Sequence, residues 1–237
     1  NNKIKCAAFC EMDGYVSANQ TGDAYTKALK ENNVEIVENF EVSKINNSNN
    51  NYEIIDVHGK KINAKKIVLA AGVYLEKILK LLDISIKIKC FPQQLIVTER
   101  MPELLKTVIT VAHGKLSLKQ FENGTVLIGG GWPGKGNIEN GYNETIPENL
   151  IGNMRLACHA IPNLKNSRVS RVWLGLEAET DDAMPIIGEL PNLKNAFIIG
   201  SIHSGYTSGP YMGKLLSEKI LGKDVDLSLF DIKRLMN

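Results

Sequence analysis

The sequence predicts a mixed α/β (α+β) fold, in which pieces of a helix-covered parallel sheet lie on either side, along the chain, of an antiparallel sheet. Three observations carry this expectation. Two apolar segments without alternation, Ile67–Ala71 and Ala196–Ile199, read as strands buried on both faces, as in a parallel sheet covered by helices. Each runs into glycine and then into a helical spacing of apolar residues, the strand, glycine, helix order of a nucleotide-binding crossover. Between them, from Ile84 onward, short strand patterns are separated by turn signals, which marks an antiparallel sheet.

Size and composition set the frame. The 237 residues are 43% hydrophobic and 23% charged, enough to build a core without a disulfide or metal staple. Lysine and arginine exceed aspartate and glutamate by 28 − 26 = 2, which supplies no general attraction for nucleic acid or an anionic membrane. The longest apolar runs are strand-sized, below the roughly 18 residues of a membrane span. Four scattered cysteines read as reduced thiols in a cytoplasmic setting. Cys6 and Cys10 lack a second pair of ligands, so no metal site is expected.

In chain order, Gly22–Asn33 carries Ala24, Tyr25, Ala28 and Leu29 on one helical face. Val34–Val37, Phe40–Ile45 and Tyr52–Val57 alternate as strands, with Asn46–Asn51 turning the chain between the last two. His58 and Gly59 make a further turn before the apolar strand Ile67–Ala71. Val73–Leu82 then has helical spacing through Leu75, Ile78, Leu79 and Leu82. Ile84–Lys89, Gln94–Glu99, Lys115–Phe121 and Thr125–Ile128 read as strands, the last pair joined by an Asn123-Gly124 turn. Pro147 opens a helix through Ile161, since a missing N–H is harmless in the first turn. Strands at Arg168–Leu176, Ile186–Ile187 and Ala196–Ile199 follow, and Pro210 is expected to open the last helix, ended by Gly222.

Two glycine clusters compete as ligand sites. Gly129–Gly134 matches G-x-G-x-x-G after a strand, yet no helical pattern begins before Pro147, so its N–H groups would not face a pyrophosphate. It reads as a wide turn leaving a sheet. The second cluster, Gly200–Pro210, joins a buried strand directly to a helix. There glycines allow close backbone approach, and the helix start can donate N–H groups to an electron-rich oxygen.

The stretch Arg171–Gly188, followed by Asn195–Gly200 and the glycine loop, resembles the C-terminal signature of the D-amino acid oxidase superfamily of FAD-dependent oxidoreductases. Gly175–Asp182 and Phe230–Arg234 are similar to the branch that contains sarcosine and dimethylglycine dehydrogenases, opine oxidase, hydrogen cyanide synthase subunits and the proline dehydrogenase beta subunit. Asp13–Val16, Val42 and Ala70–Gly72 fit the same pattern. The resemblance implies a partial FAD-binding Rossmann-like domain, residues 1–83 and 189–237, with an antiparallel-sheet substrate domain, residues 84–188. It implies FAD as cofactor, held by Val42, Ala71, Gly72, Gly200, His203, Ser204, Gly205, Tyr206 and Thr207. The family's opening G-x-G-x-x-G turn is not found in the sequence, so the chain is expected to be the later part of a longer enzyme.

The implied reaction is oxidation of an amine C–H by hydride transfer to flavin, followed by hydrolysis of the imine; the protein supplies orientation and electrostatics. His203 and Tyr206 are the expected catalytic residues, and Gln94, Lys119, Trp132 and Glu177 the expected substrate contacts. Two positions depart from the family: Glu177 stands where a carboxylate-binding arginine is found, and Thr207 where a carboxylate-binding lysine is found. Both argue against simple amino-acid specificity. The expected partners are a small-molecule amine or amino acid, an electron acceptor that is oxygen or a redox protein, and other subunits of an enzyme, with neither nucleic acid nor a transmembrane segment. A non-catalytic subunit and a flavin-dependent hydroxy-compound dehydrogenase are the rival readings.

Overall fold

The computed structural model describes residues 4–49, 51–112, 114–139, 141, 143–202 and 205–236. The chain forms two compact units, one of residues 1–36 and 92–175, the other of residues 37–91 and 176–237. Sequence alone sets the changes at 83/84 and 188/189 and groups the first residues with the flanking segments. Contacts group them with the antiparallel sheet: the Tyr15 hydroxyl donates to the Gln120 carbonyl at 2.6 Å, and its ring meets Phe121 edge-on.

The helices are α1 (Ala18–Glu31), α2 (Leu75–Lys80), α3 (Pro147–Ala160) and α4 (Gly205–Ile220). The strands are β1 (Val42–Ser48), β2 (Asn51–Asp56), β3 (Lys61–Ala64), β4 (Ile67–Leu69), β5 (Lys89–Thr98), β6 (Ile109–Thr110) and β7 (Ser117–Gln120). They continue as β8 (Val126–Gly129), β9 (Lys135–Gly136), β10 (Asn143–Glu144), β11 (Val169–Glu179), β12 (Ile186–Glu189) and β13 (Ala196–Gly200).

In the unit of residues 37–91 and 176–237, β1, β2 and β3 form an antiparallel meander. The asparagine run pairs further than expected: Asn46 lies opposite Glu53 and Asn47 opposite Tyr52, and the positive φ of Asn49, 49°, tightens the turn. Asp56 closes the next turn, its Oδ1 accepting the N–H groups of His58 and Lys60. A second sheet has the order β12-β13-β4, with β13 parallel to β4 and antiparallel to β12. Tyr52, fully buried, donates its hydroxyl to the Lys194 carbonyl at 2.7 Å and ties the meander to the turn before β13. Leu75, Leu79, Ile186 and Ile198 fill the core between them.

Three expectations are corrected in this unit. Burial on both faces holds for Ala196–Ile198 of β13, but β4 alternates: Val68 is 46% exposed at the edge of the sheet, while Phe197, its partner on β13, packs with Leu216 of α4. Ile84–Lys89 is not a strand up to its last residue; Ile84 and Ile86 bury as irregular chain while the Ile88 N–H donates to the Glu76 carboxylate. The last helix starts at Gly205, five residues before Pro210, which therefore sits inside it. Its end is as expected, since Gly222 at φ 83° lets Lys223 donate to Glu218 and Gly222 to Lys219, a Schellman closure.

In the unit of residues 1–36 and 92–175, the sheet has the order β11-β5-β8-β7-β6. The β7–β8 hairpin turns through Gly124 at φ 86°. Buried Gln120 braces it, accepting from the N–H groups of Leu104 and Leu105 and donating to the carbonyls of Pro102 and Gly124. Packing of α3 on one face buries Ile96, Leu118 and Ile128 against Ala157, Ala160 and Leu164. Val34–Val37 is not a strand: Val34 and Ile36 are about half exposed, without a sheet partner among the described residues.

Candidate functional site

The parallel pair β4 and β13 delivers two chain segments to one place. Leu69 pairs with Ile198, so Ala70–Gly72 and Gly200–Ile202 emerge side by side at the carboxyl ends of adjacent parallel strands. In open α/β sheets that edge is where ligands bind. Gly72, at φ 55°, turns the first segment into the short helical turn ahead of α2, and a Cβ added there would meet nothing within 4 Å. Gly200 is required for a different reason: the Leu75 side chain occupies the space where its Cβ would stand.

The second segment leads into α4. Its first turn carries the positive end of the helix dipole. Gly209 opens onto empty space and Gly205 meets only Ile202 at 3.7 Å, so a ligand can approach this backbone. Ser201, between strand and helix, is 3% exposed and stands at φ 47°, and its Oγ has no hydrogen-bond partner. A buried polar atom left without a partner, in a left-handed non-glycine residue, fits a site completed by a bound group.

The structure brings together most of the residues expected to hold the cofactor. Ala71 and Val42 both pack against the core cluster that contains Leu69 and Ile198, and Gly72, Gly200, Gly205, Tyr206 and Thr207 follow the two strands. Tyr206 and Thr207 are in the first turn of α4 rather than in a loop, and both are exposed. His203 and Ser204 lie outside the described residues. Ser201 has no sequence signal; only its dihedral angle and missing partner single it out.

Of the expected substrate contacts, Gln94, Lys119 and Trp132 belong to the antiparallel unit. Gln94 is 1% exposed; its Oε1 accepts the Ile146 N–H at 2.6 Å and its amide faces the Ile146 carbonyl. Alternation along β5 places it on the α3 face with Ile96, whereas Lys119 pairs with Leu127, which pairs with Val97, on the opposite face. Gln94 and Lys119 thus cannot meet one ligand from one side of the sheet. On the face of Lys119, the β5 residue next to Gln94 is Gln93, four positions along the strand from Val97, and its Oε1 is buried without a partner. Lys119 Nζ lies 5.7 Å from the centre of the Tyr15 ring. Trp132 donates Nε1 to the Lys115 carbonyl and lies on α3, where a Cβ on Gly152 would come within 2.6 Å of its ring. In the other unit, Glu177 is half-buried on β11.

A polar cleft of about 740 Å³ in this second unit is lined by Glu76, Lys80, Lys87, Asp181, Asp182 and Arg234 among others. Here Arg234 clamps the β11–β12 connection, pairing with Asp182 at 2.7 Å and donating to the carbonyls of Met184 and Pro185. The Arg234 guanidinium, then the Thr180 hydroxyl and the Met184 N–H, hold the Asp182 carboxyl well below the usual carboxylate range against the opposing effect of its partial burial. No cluster of metal-ligating side chains occurs among the described residues, and no helix there is long and apolar enough to cross a membrane.

Residues 1–219 match the family model for FAD dependent oxidoreductases. Hydrogen cyanide synthase subunit HcnC of Pseudomonas protegens is 29% identical over 222 residues, 90% of this chain and 51% of its own length. An opine oxidase subunit of Rhizobium meliloti is 26% identical over 231 residues, 95% of this chain and 58% of its own. The chain thus spans about half the length of the curated relatives it matches. Among solved structures, L-proline dehydrogenase from P. horikoshii superposes with a TM-score of 0.80 at 24% identity, over 91% of this chain and 59% of that one. Glycine oxidase from Geobacillus kaustophilus gives 0.74 at 20%, over 85% and 54%. Both share the mixed α/β architecture.

Proposed function

Because the chain belongs to the family of FAD-dependent oxidoreductases, we propose that it acts in oxidising the C–N bond of an amino acid or secondary amine, of the N-methyl amino acid, opine or proline-like kind. The observation that carries this reading is the paired ending of β4 and β13, where Gly72 at one strand end and Gly205 and Gly209 at the start of α4 leave open backbone. FAD, when bound, supplies the acceptor for the hydride removed from the carbon beside the amine nitrogen.

The chain's own residues bind and orient. In this proposal Val42, Ala71, Gly72 and Gly200 hold the cofactor along the Rossmann-like strand ends, and the N–H groups at Gly205, Tyr206 and Thr207 face its electron-rich edge. Their fixed partial charges favour a flavin that gains negative charge on reduction, since oriented dipoles need no rearrangement at the moment of reaction. His203 and Tyr206 are the groups assigned to the amine, His203 because imidazole can hold or release a proton near neutral pH. Candidate substrate contacts are Glu177 and, on the face of its sheet opposite α3, Lys119; Gln94 and Trp132 carry structural bonds already described. A glutamate favours a substrate that presents an amine rather than a carboxylate to that position. The pyrophosphate end of FAD needs a glycine turn that opens a helix, and Gly129–Gly134 opens none. Relatives named as parts of larger enzymes, hydrogen cyanide synthase and opine oxidase, support assembly with further subunits.

The test is direct. The holoprotein, purified with any subunits that accompany it, is expected to be yellow with flavin absorption bands that bleach on addition of a secondary amine or N-methyl amino acid. A colourless preparation that takes up no added FAD, or one bleached only by hydroxy acids, overturns the reading.

A further inference from the structure

We propose that the Ser201 hydroxyl is a cofactor-binding group, one that finds its hydrogen-bond partner on the bound flavin and not within the protein; this rests on the flavoprotein reading above. Among the described residues, the buried ones that carry hydroxyl groups are Tyr52, Thr98, Thr180 and Ser201. Tyr52 donates to the Lys194 carbonyl. Thr98 donates to the Glu99 carbonyl and accepts the Val126 N–H. Thr180 donates within the turn formed by Asp182 and Met184. Of these hydroxyls, Ser201 Oγ alone is without a partner, although the residue is 3% exposed and water cannot supply one from bulk solvent.

Its backbone is as unusual as its side chain. A φ of 47° disfavours any residue with a Cβ, and glycine is common enough in the neighbouring sequence, at 200, 205 and 209, to be an available solution. Serine at this position therefore accepts two separate costs, a left-handed backbone and an unpaired hydroxyl, and both fall at the carboxyl end of β13 just before the sixteen-residue helix α4. Paired costs at one residue, placed where a parallel sheet receives ligands, are the mark of a group whose partner arrives with the ligand.

The decisive variants are Ser201→Ala and Ser201→Gly, made in the flavin-loaded holoprotein and read both there and after the flavin has been stripped. Ser201→Ala is expected to weaken FAD binding roughly tenfold, by fluorescence titration of the stripped protein, without lowering its melting temperature. Ser201→Gly is expected to weaken FAD binding to a similar degree while raising the melting temperature of the stripped protein, because glycine adopts the same φ freely. Unchanged FAD affinity in both variants overturns the proposal, as does a lower melting temperature of the stripped protein in both, which would mean that the hydroxyl serves the protein itself. Wild-type protein that binds no FAD overturns the functional reading first and this inference with it; wild type that binds while the variants match it overturns this inference alone.

Discussion

The two glycine clusters invert what their sequences suggest. Gly129–Gly134 spells a nucleotide fingerprint, yet Gly130 and Gly134 are there for the protein: the Leu116 backbone lies where a Cβ on Gly130 would go, and the Leu174 side chain and Glu144 carbonyl fill the same space at Gly134. Gly200–Gly209 spells no fingerprint, and although Leu75 fills the space at Gly200, Gly209 faces empty space, as does Gly72 beside the same strand ends. A glycine whose vacant side-chain volume is taken up by its own fold is a packing residue. One whose volume stays open at the end of a parallel strand is a place for something else.

Substitutions can break this contrast. Gly130→Ala carries the largest expected effect, a loss of about 3 kcal/mol, since it combines a φ of 118° with a backbone collision. Chemical denaturation measures it, and the protein that remains folded should keep its flavin affinity. If Gly130→Ala spares stability and costs affinity, the assignment of the two clusters is reversed.

Gly72→Ala should show the opposite balance. Without a collision, the left-handed φ alone costs about 1 kcal/mol of stability, whereas FAD affinity should fall by roughly tenfold or more as the added methyl enters the open space. Titration of the stripped protein separates the two.

The smallest effect calibrates what a contact made by neither cluster looks like. Asp182→Asn removes the charge paired with Arg234, and at 39% side-chain exposure solvent screens the pair, so the expected loss at neutral pH is about 1 kcal/mol or less. Because the folded carboxyl is held below its ordinary value, the stability it contributes is present above the unfolded value of about 4 and is lost as pH falls through the folded one. Melting temperatures of wild type and variant should therefore converge at acid pH, with flavin affinity unchanged. A gap that widened in acid would contradict the sign of that shift.

Much of the architecture is legible because it rests on local pattern. The strands expected at Ile67–Ala71, which ends at Leu69, and at Ala196–Ile199, which runs on to Gly200, the helix opened by Pro147, and the failure of Gly129–Gly134 to open a helix all follow from residue order. What is not legible depends on partners distant in sequence. Lys61–Ala64 has little strand character of its own and becomes β3 by pairing with β2. Gln94 is expected as a substrate contact from its place at the rim of a sheet, but a shift of one position changes the face, and its amide is bonded to Ile146. Pro210 reads as a helix opener, and nothing in the preceding residues signals that the helix begins at Gly205. Ser201 is invisible in the sequence because φ and the lack of a partner exist only in three dimensions.

The proline inside α4 divides that helix into two mechanical parts. Pro210 has no N–H to offer the Tyr206 carbonyl four residues back, so the first turn is joined to the remainder by one rung fewer than an unbroken helix would have. The remainder is anchored by Leu216 in the core with Ile187 and Phe197, while Tyr206 and Thr207 are exposed. The helix can therefore loosen at its front without unzipping at its back. Amide exchange should divide along the same line, fast before residue 210 and slow after Met212, and the arrival of a ligand would be read as slowing of the front alone.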